Sequence, residues 1–135
     1  MIFIDTGAFL ARYAAGDQHH AEAVFLWGEL ESGPARFFTS NMVLVETFTL
    51  LARRTTYAFA SERAHNIYHS ERLTILRPEA NDEVEALSVF QKYSEVAVSF
   101  TDAVSCVLMR RHRLKRVFSF DRHFEDMGFS LLKRR

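Results

Sequence analysis

Apolar and polar positions along the chain fall into two alternating rhythms. Short apolar runs recur at Ile2-Phe3-Ile4, Arg36-Phe37-Phe38, Leu73-Thr74-Ile75-Leu76, Arg116-Val117-Phe118 and Phe129-Ser130-Leu131-Leu132, each long enough only for a strand. The stretches between them carry apolar residues three to four apart, the period of a helix with one buried face. From His19 to Ser32 the stripe is Ala23, Trp27 and Leu30, closed by Gly33-Pro34. From Ser40 to Arg53 it is Met42, Val45, Thr49 and Ala52, with Ser40 as N-cap, and from Ala58 to Glu71 it is Ala60, Ala64, Ile67 and Tyr68. After Pro78 the stripe is Val84, Leu87 and Phe90. A last long helix runs from Asp102 to about His112, with Thr101 as N-cap and Val104, Val107 and Leu108 turned inward. Strands alternating with helices predict βαβ units: an α/β fold whose central sheet is mostly parallel.

No internal repeat, low-complexity tract or linker interrupts the pattern, so residues 1–135 read as one domain. A chain of 135 residues with 48% hydrophobic content and 13 Phe buries a sizeable core without disulfides or a structural metal. The single cysteine, Cys106, has no internal partner and reads as a packed core thiol. With no charged-then-apolar leader and no long apolar run, the expectation is a cytoplasmic protein without a membrane segment.

The formal net charge is zero, which argues against nucleic-acid binding by global charge alone. The distribution is uneven, however. Residues 1–108 carry 8 Lys and Arg against 14 Asp and Glu, whereas residues 109–135 carry 9 against 3. The basic stretch Arg110, Arg111, His112, Arg113, Lys115, Arg116 has two readings: a solvated helix end, or a rim that contacts phosphates. Lys133-Arg134-Arg135 reads as a frayed tail, with contact to RNA as the alternative.

The candidate chemistry is acidic. Asp5, in Ile4-Asp5-Thr6-Gly7, has the letters of an aspartic protease triplet, but those enzymes of the retroviral type are all-β and glycine-rich, and this chain has 5 Gly and a helical majority. Asp5 therefore ends a strand, at the sheet edge where α/β proteins bind ligands. Glu46 lies nearly two turns into the helix after the second strand, Asp102 opens the last long helix, and Asp121 follows the fourth strand. Each has a structural alternative: a helix cap for Asp5 and Asp121, a helix-start acid favoured by the macrodipole for Asp102, an ion pair with Arg53 or Arg54 for Glu46. Gathered at one edge, four carboxylates repel and call for hard divalent cations, which suit phosphodiester hydrolysis.

The segments IFIDTGAFLA, TSNMVLVETFTLL, SFTDAVSCVLM and VFSFDRHFEDMGF, in this order and spacing, resemble a PIN domain, and the chain is similar in size to the compact VapC-type toxins. The resemblance implies a three-layer α/β/α fold with a parallel sheet of about five strands. It implies a ribonuclease site in which Asp5, Glu46, Asp102 and Asp121 bind Mg²⁺ or Mn²⁺, with hydroxyls of Thr6, Ser40 and Ser119 bonding around the carboxylates. It also implies an RNA substrate, a homodimer and a small antitoxin partner that covers the acidic pocket. Two alternatives stay open: a housekeeping RNA-processing nuclease, and a catalytically silent module that binds RNA or protein. Arg110, Arg111, Arg113 and His123 are the expected substrate contacts. His65 and His69 have the i, i+4 spacing of a zinc pair but lack the glutamate of the usual motif.

Overall fold

The computed structural model describes residues 1–134; Arg135, the last residue of the expected tail, lies outside the described residues. Five strands form one sheet: β1 (Ile2–Ile4), β2 (Phe37–Ser40), β3 (Leu73–Leu76), β4 (Arg116–Phe118) and β5 (Ser130–Leu131). Their order is β3-β2-β1-β4-β5, and every pairing is parallel. Seven helices flank the sheet: α1 (Thr6–Tyr13), α2 (His20–Ser32), α3 (Asn41–Arg54), α4 (Tyr57–Tyr68), α5 (Ala80–Lys92), α6 (Phe100–Arg111) and α7 (His123–Asp126). No helix among the described residues is long and apolar enough to cross a membrane.

β1 is central because it is wholly apolar. Ile2, Phe3 and Ile4 are fully buried, as expected of a strand covered on both faces. Phe3 pairs with Phe38 on one side and Val117 on the other, which sets the carboxyl ends of β1, β2 and β4 side by side. The Thr39 hydroxyl donates to the Ile4 carbonyl at 2.8 Å, and the Asp5 N–H donates to the Phe118 carbonyl at 3.0 Å. The chain that leaves β1 is thus clamped from both neighbours just where Asp5 emerges.

The helical stripes agree in part with the sequence pattern. Ala23, Trp27 and Leu30 of α2 are buried, as are Val104, Val107 and Leu108 of α6, and Trp27 Nε1 donates to the Ala8 carbonyl at 3.1 Å. Three expectations are corrected. α3 buries Val43, Leu44, Thr47 and Leu51 and leaves Val45 66% exposed, because of its two apolar faces the packed core takes the one that carries Leu44 and Leu51. α5 leaves Val84, Leu87 and Phe90 exposed and buries Asp82, Ala86 and Val89. Its rotation is set by a capping box between Glu79 and Asp82 and by the Asp82–Arg111 ion pair, which hold its small-residue face against α6. Finally, the N-cap of α6 is Ser99, not Thr101, so the helix begins two residues earlier than expected and Asp102 falls inside its first turn.

Candidate metal centre

Asp5 occupies the N-cap position of α1, where an aspartate ordinarily accepts a hydrogen bond from the first turn. Its side chain makes no such bond. Instead Oδ2 accepts from the Ser119 hydroxyl at 2.8 Å, while Oδ1 is buried without a hydrogen-bond partner. The residue is only 2% exposed. Burial pushes its carboxyl up from the ordinary 3.8 to about 8; the negative charges of Asp102 and Asp121 act in the same direction, and the Ser119 hydroxyl and Thr6 N–H oppose them. Asp5 is therefore an acid held where its charged form is disfavoured, with one oxygen that nothing in the protein satisfies.

Asp102 reaches the same place from α6. Ser99 and Asp102 form a reciprocal capping box: the Ser99 hydroxyl accepts from the Asp102 N–H at 3.1 Å, and Asp102 Oδ2 accepts from the Ser99 N–H at 3.3 Å. Asp121 comes from the turn after β4, its N–H donating to the Ser119 hydroxyl oxygen at 3.0 Å. Ser119 thus ties the backbone before Asp121 to the carboxylate of Asp5. His123, the first residue of α7, places Nε2 2.8 Å from Asp102 Oδ2 and 3.9 Å from Asp121 Oδ2. One donor atom each of Asp102, Asp121 and His123 lies within 4.8 Å of the others.

Not every expected residue joins this group. Glu46, partly buried on α3, is not one of these three donors, and the carboxylates that act on Asp5 are Asp102 and Asp121. Glu46 also forms no ion pair with Arg53 or Arg54; Arg54 pairs with Asp17 at 3.5 Å. The Ser40 hydroxyl accepts from the Val43 N–H as a helix cap, so it is not turned to the carboxylates, and the Thr6 hydroxyl is buried without a partner. Arg110, Arg111 and Arg113 are not brought to the acids. Arg110 lies eight residues along α6 from Asp102, about 12 Å at the helical rise, and donates to the Met127 carbonyl. Arg111 pairs with Asp82 and Glu79, and Arg113 takes a left-handed backbone conformation in the turn before β4. His65 and His69 are exposed and belong to no metal-capable group among the described residues.

Two residues passed over in the sequence stand beside the acids. Ser99 fixes Asp102, and its signal was the Ser-x-x-Asp spacing of a capping box. Arg122, between Asp121 and His123, extends a side chain 90% exposed to solvent, a cation at the rim with a long 3.9 Å contact to Glu125. The donor chemistry fits a divalent cation. Carboxylate oxygens predominate, the buried Asp5 Oδ1 lacks a partner, and clustered acids are stabilised by a cation in their midst.

Comparison with known proteins agrees with this geometry. Residues 2–130 match the model of the PIN domain. Two relatives from Mycobacterium tuberculosis, strains CDC 1551 and H37Rv, both named 23S rRNA-specific endonuclease VapC20, are 36% identical over 133 residues, covering 96% of this chain and 95% of theirs. The crystal structure of Mycobacterium tuberculosis VapC20, described as a sarcin–ricin loop cleaving toxin, superposes with a TM-score of 0.86 at 35% identity over 96% of both chains. With its parallel five-stranded sheet and its acids gathered at one edge, the chain belongs to the PIN domain family and has that family's nuclease fold.

Proposed function

We propose that this protein is an endoribonuclease that uses Mg²⁺ or Mn²⁺ to hydrolyse RNA phosphodiester bonds, and that it is the toxin of a toxin–antitoxin pair. The observation that carries the reading is the unsatisfied, desolvated Asp5 facing Asp102 and Asp121. A pocket with that electrostatics stabilises a cation. Its whole-length similarity to relatives named as ribosomal RNA endonucleases makes RNA the substrate to test first.

In this reading Asp5, Asp102 and Asp121 hold the metal, and Glu46, further out on α3, completes the donor set. Divalent ions, when bound, supply positive charge to the phosphate oxygens and acidify water for attack. The chain's own residues do the positioning. Ser119 keeps Asp5 Oδ2 in place and leaves Oδ1 without a partner in the protein, Ser99 orients Asp102, and Arg122 meets the RNA backbone from the rim. A homodimer and a small antitoxin that covers the acidic pocket, in the cytoplasm, complete the proposal.

The test is cleavage of ribosomal RNA and of a sarcin–ricin loop oligonucleotide with Mg²⁺, with Mn²⁺ and with chelator. Cleavage with either metal, lost with chelator and in Asp5→Asn, is the expected result; undiminished cleavage by Asp5→Asn overturns the site. Growth arrest on expression, abolished by Asp5→Asn, separates a toxin from a housekeeping nuclease.

A further inference from the structure

The tightest group of donors at the acidic edge is not made of carboxylates alone. It consists of Asp102, Asp121 and the imidazole of His123. His123 is not a loosely held surface histidine: its side chain is only 16% exposed, and the next residue, Phe124, is fully buried and anchors α7 in the core. The Phe124 N–H donates to the Asp121 carbonyl at 3.4 Å and the Met127 N–H to the His123 carbonyl at 3.1 Å, so the turn carrying the ring is tied at both ends.

The three donors lie close enough together for one small ion to reach them all. Donors bound at about 2.1 Å in an octahedron lie about 3.0 Å apart when adjacent and about 4.2 Å apart when opposite. His123 Nε2 stands 2.8 Å from an Asp102 oxygen and 3.9 Å from an Asp121 oxygen. The buried Asp5 Oδ1, which has no hydrogen-bond partner, is an independent sign that a positive group belongs here. Without an ion, Nε2 and Asp102 Oδ2 share a hydrogen bond. With one, the neutral ring keeps its proton on Nδ1 and turns the Nε2 lone pair to the cation.

We propose that His123 Nε2 is a direct ligand of the divalent ion, so that the site is a mixed carboxylate–imidazole centre that selects Mn²⁺ over Mg²⁺. The proposal rests on the metal-nuclease reading above and adds a nitrogen ligand and an ion preference to it. Mg²⁺ is a hard ion that takes oxygen donors and gains little from imidazole, whereas first-row transition ions gain more.

The experiment is pulsed electron paramagnetic resonance of the full-length protein loaded with Mn²⁺, without RNA. The expected result is ¹⁴N modulation from a directly bound imidazole, replaced by a ¹⁵N pattern when only histidine is ¹⁵N-labelled, a control that needs no substitution. His123→Gln should remove the modulation and weaken Mn²⁺ binding by about tenfold or more, while Mg²⁺ affinity by calorimetry stays within about threefold. Bound Mn²⁺ without nitrogen coupling in the unsubstituted protein overturns the ligand assignment and leaves the carboxylate site standing. Equal loss of both ions in a folded His123→Gln overturns the selectivity. Failure to bind Mn²⁺ at all overturns the metal-nuclease reading and this proposal with it.

Discussion

α5 and α6 pack against each other and begin with the same device, an acid in the first turn whose carboxylate accepts from the backbone N–H of the N-cap residue. In α5 the acid is Asp82, bonded to the Glu79 N–H at 2.8 Å and paired with Arg111. In α6 it is Asp102, bonded to the Ser99 N–H at 3.3 Å and facing His123 and two further acids. Both are buried. The difference lies in what completes them. Asp82 is neutralised by a guanidinium of its own chain, and the result is a latch between two helices. Asp102 has no cation of its own chain as fixed partner and stands with His123, Asp121 and an unsatisfied Asp5 oxygen, an arrangement suited to a cation from outside.

Breaking the two sites should therefore have opposite signatures. Asp5→Asn is expected to lower RNA cleavage by more than about 100-fold while leaving metal-free stability equal or higher, since it removes the cost of holding a buried carboxyl protonated at neutral pH. Calibrated cleavage assays beside thermal unfolding in chelator check both halves. Asp82→Ala should do the reverse, costing about 1–3 kcal/mol of stability, with the partly exposed Arg111 side chain holding the figure down. Its cleavage per folded molecule should stay within about twofold of the unsubstituted protein, because no ligand is touched.

The pH dependence sharpens the contrast. The native protein keeps the Asp5 proton up to about pH 8, whereas the unfolded chain releases it near pH 4. Across that window the native state holds more protons, so Asp5 makes the metal-free protein less stable as pH rises, and its favourable contribution is full only below the unfolded value. Asp5→Asn should flatten this slope, and saturating Mn²⁺ should offset it at neutral pH. A slope identical in wild type and Asp5→Asn would assign the pH dependence to other groups.

Ser119→Ala, which takes the donor from Asp5 and the acceptor from the Asp121 N–H, should cost about tenfold in activity and roughly 1 kcal/mol in stability. The smallest effects concern the cations. Arg122→Ala should raise KM for RNA about three- to tenfold, with a shallower salt dependence. Arg110→Ala and Arg113→Ala should change KM by less than about twofold, since α6 carries them away from the acids.

Much of the architecture is legible in local sequence. The run at Ile2–Ile4 is a strand because it is apolar throughout, Leu73–Leu76 because its apolar residues include β-branched Ile75 beside an outward Thr74, and the breaks at Gly33-Pro34 and Pro78 bound the helices for backbone reasons. What local pattern left open is rotation. α3 and α5 each have two apolar faces, and only packing decided that Leu44 and Ala86 turn inward while Val45 and Leu87 face solvent. The Asp82–Arg111 pair, 29 residues apart, fixes α5 in a way no short window reveals.

The acids divide in the same manner. Local sequence sufficed to show that Asp5 follows a buried strand and that Asp102 lies at the start of a helix, because strand burial and helix initiation are short-range physics. Long-range packing brings in Ser119, 114 residues on, to hold Asp5; it gathers His123 with Asp102 and Asp121 and leaves the arginines at the end of α6 elsewhere. The reason is geometric. Parallel strands bring distant turns to one edge, and which side chains meet there depends on register and helix rotation, quantities set by the packed core as a whole.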